Sequence, residues 1–192
     1  MQKKPIITIA GSLGSGKSST ANRIAEILEY SRASTGDFSR SFADERGITL
    51  AELNTLAETD PTVDTALDDL NRSVGKKENV VLDSRLGFYF VPESFKVYLK
   101  VDPAVAAERI LKDAEVNPNR QKEIRGGFDT KESVIKGISD RLASERKRYQ
   151  ELYGIADNTA VENFDLVIDT ATMPLEDVAQ KIVRQYQDWL AS

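Results

Sequence analysis

Gly11-Ser12-Leu13-Gly14-Ser15-Gly16-Lys17-Ser18 reads G-x-x-x-x-G-K-S. Three glycines let the backbone turn tightly and aim successive N–H groups at one point, where an anion can sit. A helix starting at the end of such a loop directs its positive end to the same place. In this pattern Lys17 reaches the β- and γ-phosphates of a nucleotide, and the Ser18 hydroxyl ligates Mg2+. The flanks fit. Ile6-Ile7-Thr8-Ile9-Ala10 is the apolar, β-branched run of a buried parallel strand. Beyond the loop, Ala21, Ile24, Ala25 and Leu28 recur at helical spacing. Strand, loop and helix in that order distinguish a phosphate-binding loop from a Gly/Ser-rich turn that binds nothing.

Composition narrows the chemistry. The chain has 192 residues, enough for one domain with a substantial core. It has no cysteine and no histidine, which removes disulfides, thiolate sites, imidazole catalysis and His-ligated zinc. Any general base is then a carboxylate, and any metal is oxygen-bound, such as Mg2+. A net charge of −5 argues against nucleic-acid binding over the whole surface. No apolar run approaches the ~20 residues of a membrane span. Met1-Gln2-Lys3-Lys4-Pro5 leads straight into the first strand, so no secretory signal is expected and the expected location is cytoplasmic.

Along the chain, residues 30–34 read as a second strand. Gly36 permits a turn and Asp37 caps a helix expected from Phe38 to Arg46. Asp37 and Arg40 serve either that local purpose or the mouth of the phosphate loop. Thr49 and Glu52 form a capping box, and Asp60-Pro61 opens a further helix with Val63, Leu67 and Leu70 along one side. Residues 79–83 read as a third strand ending in Asp83, which either joins a Mg2+ shell or caps the next turn. Arg85, two residues later, suits bidentate phosphate binding. The alternation of residues 95–101 gives a fourth strand, and Asp102-Pro103 caps a helix carrying Arg109 on its surface.

Residues 113–129 are polar, with Arg120, Lys122 and Arg125, and are punctuated by Pro118 and Gly126-Gly127. They read either as a hinged lid or as a passive insertion. Asp129 and Glu132 cap a long helix to about Tyr153, with Ile135, Ile138, Leu142 and Tyr149 on its apolar face. Arg141, Glu145 and Arg148 lie on a neighbouring face as either a solvated ion-pair ladder or a phosphate clamp, and composition favours the ladder. Residues 164–170 form the fifth strand, and Pro174 begins a helix with Leu175, Val178, Ile182 and Trp189 inward. Alternating strands and helices predict an α/β fold, a doubly wound, five-stranded parallel sheet of P-loop NTPase type spanning 1–192 as one domain.

The segments GSLGSGKSS, STGDFSR, AETDPTVD, VVLDSRL, SDRLASERKRYQELYG and FDLVIDT, in this order, resemble the nucleoside monophosphate kinases, in particular the short archaeal-type cytidylate kinases. The resemblance covers nearly the whole chain. It implies transfer of a phosphoryl group from ATP, with Mg2+, to a nucleoside monophosphate such as CMP or dCMP, giving ADP and CDP or dCDP. It implies that Gly11, Ser12, Leu13, Gly14, Ser15, Gly16, Lys17, Ser18 and Ser19 bind ATP phosphates, with Arg109 near the ATP base. Asp37, Arg40 and Arg85 then bind the acceptor phosphate, and Asp60 and Asp64 face its base or ribose. Lys17, Arg85, Arg141 and Arg148 are the implied catalytic cations; Ser18 and Asp83 are the implied metal ligands. Residues 41–74 match the helical monophosphate-binding insertion and 112–153 the lid region. A monomer is expected, with ATP and a nucleoside monophosphate as partners and neither nucleic acid nor membrane. The strand end reads Asp-Ser-Arg where Glu-Gly-Arg is common in the family, and the segment 113–127 is longer than in the short archaeal enzymes. Kinases of other small acceptors (another monophosphate, dephospho-coenzyme A, shikimate) and a nucleotide-dependent regulatory ATPase share the loop and stay open.

Overall fold

The computed structural model describes residues 3–117, 121 and 130–192. Pro118, Arg120, Lys122, Arg125, Gly126-Gly127 and Asp129, and with them the reading of this stretch as a hinged lid, lie outside the described residues. Strands β1 (Ile6–Gly11), β2 (Ser31–Ser34), β3 (Val80–Asp83), β4 (Phe95–Lys100) and β5 (Leu166–Asp169) form one parallel sheet in the order β2-β3-β1-β4-β5. Helices α1 (Lys17–Leu28), α2 (Thr35–Glu45), α3 (Leu50–Leu56), α4 (Pro61–Val74), α5 (Gly87–Phe90), α6 (Pro103–Ala114), α7 (Lys131–Tyr153) and α8 (Leu175–Ala191) connect or follow them.

The sheet is covered on both faces, which is why its central strands are apolar throughout. Ile7 and Ile9 of β1 face α1 and α8, packing with Ala21, Ile24, Val178, Ile182 and Tyr186. Ile6 faces the opposite layer with Val80, Leu82, Val74 of α4 and Val91. From β1 the order runs to β3 and β2 on one side and to β4 and β5 on the other. That reversal opens a crevice beyond the carboxyl ends of the strands. In the ladder Ile9 is opposite Asp83, and Asp83 is opposite Ser34, so the loop after β1 and the ends of β2 and β3 share one edge.

Several local expectations change. The second helix starts at Thr35, because the Ser34 hydroxyl ending β2 accepts from the Asp37 N–H and takes the N-cap. Asp37 is therefore inside the first turn and its carboxylate is released for other partners. The capping box at Thr49 and Glu52 is present, and Asp60 caps α4 by accepting from the Thr62 N–H. In α4 the buried stripe is mostly polar: Val63, Asp64, Asp68, Asn71 and Val74. Helix α7 is capped by Thr130 and Ser133, and Glu132 lies in its first turn without a part in the cap. In α8, Leu175 is exposed, and Val178, Ala179, Ile182, Val183 and Tyr186 are buried. Among the described residues no helix is long and apolar enough to cross a membrane.

Candidate active site

The loop after β1 is shaped by contacts that its sequence does not advertise. Gly14 has φ 76°, and a Cβ there would lie 2.8 Å from the Ala106 carbonyl oxygen of α6. Ser15 is buried, and its hydroxyl donates to the Ser12 carbonyl at 2.8 Å, which also accepts from Lys17 Nζ at 2.9 Å. Thr170, just past β5, donates from Oγ1 to the Ser15 carbonyl at 3.1 Å. Arg109 of α6 donates to the carbonyls of Thr170 at 2.6 Å and Ala171 at 3.3 Å. Arg109 is thus tied to the segment bracing the loop while it also lines the cleft. Gly16, at the start of α1, supplies no side-chain cap. The first-turn N–H groups of α1 therefore face the loop, and helix dipole and amides favour an anion there.

Beside the loop, Ser18 Oγ donates to Asp83 Oδ2 at 2.7 Å. These two oxygens make a fragment of a hard-cation site. Among the described residues no cluster of three or more carboxylates or imidazoles could hold a metal unaided. The pair suits Mg2+, which keeps several water or phosphate ligands and needs few from protein. Arg32 on β2, not singled out in the sequence, joins Asp83 Oδ2 at 3.4 Å and Asp37 Oδ2 at 2.7 Å. Asp37 Oδ1 also accepts from Arg40.

A cleft of about 620 Å3 opens from this edge. Leu13, Gly14, Gly16, Lys17, Ser18, Ser19, Asp83 and Arg109 line one end. Asp37, Arg40, Arg85, Arg141, Arg148 and Asp64 continue around it, so most of the residues expected in the site do meet. Gly11, Ser12 and Ser15 do not line the cleft, and Ser12 and Ser15 shape the loop through its internal hydrogen bonds. Asp60 is also outside the cleft, spent on capping α4.

The solvated ladder on α7 is not what forms. Glu145 is 4% exposed and sits between two arginines: Oε1 accepts from Arg141 Nε at 2.8 Å and Oε2 lies 2.9 Å from Arg85 Nε. Arg148 Nε lies 3.2 Å from Asp64 Oδ2. Burial opposes the Glu145 charge, but Arg85 and Arg141 outweigh it and hold the carboxyl below the ordinary carboxylate range. Burial pushes Lys17 down to about 7, helped by Arg85 and opposed by Asp83. Positive charge is concentrated here, and an anion at the loop would favour the charged lysine.

On the far side, Asp64, Asp68 and Asn71 project from α4 into the cleft although each is buried. Asp68 Oδ1 accepts from Tyr153 at 2.9 Å. Burial raises the Asp68 carboxyl, opposed by Tyr153 and Arg72. Asp68 and Asn71 were missed because their i, i+4, i+7 spacing with Asp64 reads as a solvated helix face. The sequence offers no competing signal, because Val63, Leu67 and Leu70 make an apolar stripe at i, i+4 and i+7, yet Leu67 and Leu70 end only half-buried.

Parallel sheet, phosphate loop and an arginine-lined crevice at the switch point define a P-loop kinase. Comparison with known proteins agrees. Residues 7–127 match the family model described as AAA domain. The chain is 33% identical over 178 residues to the cytidylate kinase of Methanosphaera stadtmanae, covering 92% of this chain and 95% of that one. It is 37% identical over 186 residues to the S-adenosylmethionine-dependent nucleotide dehydratase of Lacinutrix mariniflava, covering 96% of this chain. It spans 36% of the length of that relative. In fold it is similar to the shikimate kinase of Bacteroides thetaiotaomicron, with TM-score 0.64 and 15% identity over 97% of this chain and 98% of that one. The chain belongs to the nucleoside monophosphate kinase family of P-loop kinases, alongside the short archaeal-type cytidylate kinases.

Proposed function

We propose that this chain transfers the γ-phosphoryl group of ATP to a nucleoside monophosphate, with CMP and dCMP as acceptors. The observation that carries the reading is the convergence of Lys17, Arg40, Arg85, Arg141 and Arg148 on one cleft beside an uncapped helix N-terminus. Two polyanions must meet in line, and each brings charge that repels the other. A dedicated base is unnecessary, because the acceptor already presents an anionic phosphate oxygen. That oxygen attacks the γ-phosphorus while the bond to the β–γ bridging oxygen breaks, leaving ADP. Catalysis is then positioning and electrostatic stabilisation.

In this reading the residues from Gly11 to Ser19 cradle the ATP phosphates and Arg109 stands at the donor end. Arg40 and Arg85 take the acceptor phosphate, with Asp37 orienting Arg40. Ser18 and Asp83 would hold Mg2+, whose charge offsets that of the β- and γ-phosphates. In the same reading residues 41–74 serve as the acceptor-binding insertion and 112–153 as the lid region of one domain. Asp68 accepts from the exocyclic amino group of cytosine, a donor that uracil lacks. Relatives named for acting on nucleotides support a nucleotide acceptor over a sugar acid. A regulatory ATPase would not need a row of arginines beyond the γ-phosphate. Calorimetric titration with adenosine joined to cytidine through five phosphates tests this. The analogue should bind far more tightly than ATP alone; equal affinity would favour the regulatory ATPase.

A further inference from the structure

Three arginines in the cleft have Nε nearest a buried carboxylate, with one difference between them. Arg141 Nε donates to Glu145, whereas Arg85 Nε, 2.9 Å from Glu145, and Arg148 Nε, 3.2 Å from Asp64, form ion pairs without hydrogen-bond geometry. Among the described residues, no hydrogen bond engages the terminal nitrogens of Arg85, Arg141 or Arg148. A carboxylate that met a guanidinium at its outer fork would take both terminal donors in a bidentate pair. Here the carboxylates take the inner nitrogen and leave the forks for something else. Burial makes the arrangement specific. Glu145 and Asp64 are 4% and 5% exposed, and side chains of Arg85 and Arg148 are 18% and 13% exposed. Two buried guanidiniums facing one cleft repel each other, and a carboxylate between them permits the pair to form before any phosphate arrives.

We infer that Glu145 and Asp64 are positioning residues that grip the arginines side-on, so that their terminal N–H groups stand ready for phosphoryl oxygens. Glu145 sets Arg85 and Arg141 together; Asp64 sets Arg148. The assignment of the arginines to phosphoryl transfer rests on the function proposed above; the side-on grip does not. Misplacing such groups by about 1 Å costs about 10²-fold in rate.

Glu145→Gln keeps the size of the side chain and removes its charge. We expect kcat for phosphoryl transfer to fall about 10²-fold, with KM for ATP little changed, when rates are expressed per folded site. In 15N spectra of the ligand-free protein, the Arg141 Nε–H resonance should be sharp and protected from exchange and should broaden in the variant, and the Arg85 Nε–H resonance should shift with the loss of its ion pair. Asp64→Asn should shift the Arg148 Nε–H resonance with the loss of its ion pair, and it decides the matter if Glu145→Gln does not fold. Unchanged Nε–H resonances in the folded variant would overturn the inference, as would wild-type kcat per folded site. A wild-type protein that phosphorylates no monophosphate would sink the proposed function, while the spectra would still report on the grip.

Discussion

Lys17 and Asp68 show how one cleft makes opposite demands on single residues. Lys17 is buried, held near the loop by the Ser12 carbonyl and surrounded by other cations. In the proposed function this burial is tolerated because the lysine meets phosphate. Lys17→Ala should lower kcat by roughly 10²–10³-fold, the scale of losing one strong electrostatic contact in the transition state. Steady-state ADP release from ATP with an acceptor measures it, and near-normal turnover would contradict the role of the loop. Asp68 is an acid whose pKa is raised in the fold, chiefly by burial. Its charged form is the disfavoured one, so the cost to stability is absent below the unfolded-state value. The cost appears as pH rises through the raised value and is fully present above it. Tyr153 and Arg72 from outside the carboxyl, and Asp64 and Asp69 along α4, set the balance. Asp68→Asn should therefore melt higher than wild type at neutral pH, and the difference should shrink as pH falls towards 4, the ordinary carboxylate range. Thermal melts at several pH values check the slope.

At the scale of elements, the loop, its strand and its helix could be read from the chain because each carries a local signal: glycine spacing, a β-branched run and a 3.6-residue stripe. The caps at Thr49, Asp60 and Asp102 were legible for the same reason. What was not legible depends on distant partners. Ser34 displaces Asp37 as a cap because it ends a strand, and Thr170 braces the loop across 155 residues. Asp64, Asp68 and Asn71 look solvated until α4 is folded over the cleft. Arg141, Glu145 and Arg148 read as a surface ladder until Arg85, from the turn after β3, comes within 2.9 Å of a buried Glu145. Gly14 marks where loop and α6 must touch. Gly14→Ala should destabilise the protein by at least about 1–2 kcal/mol from the left-handed backbone alone, with more from the collision with Ala106. Denaturant titration reads the loss, and stability equal to wild type would mean the loop is free to move away from α6.

For the whole molecule, the sheet order concentrates cations from distant parts of the chain at one edge of a protein whose net charge is −5. Arg40 comes from the helix after β2, Arg85 from the turn after β3, and Arg141 and Arg148 from α7. Each is ordinary in sequence, and only the parallel topology gathers them beside Lys17. Bulk charge argues against polyanion binding, and the local field argues for it. In the proposed function this field joins two phosphorylated substrates. The direct measurement is product analysis after incubating the protein with ATP, Mg2+ and, separately, CMP, dCMP, UMP, AMP, GMP, shikimate and dephospho-coenzyme A. ADP should form in step with CDP or dCDP, with little product from UMP, shikimate or dephospho-coenzyme A. ADP formed at one rate whatever the acceptor, with no diphosphate appearing, would contradict it.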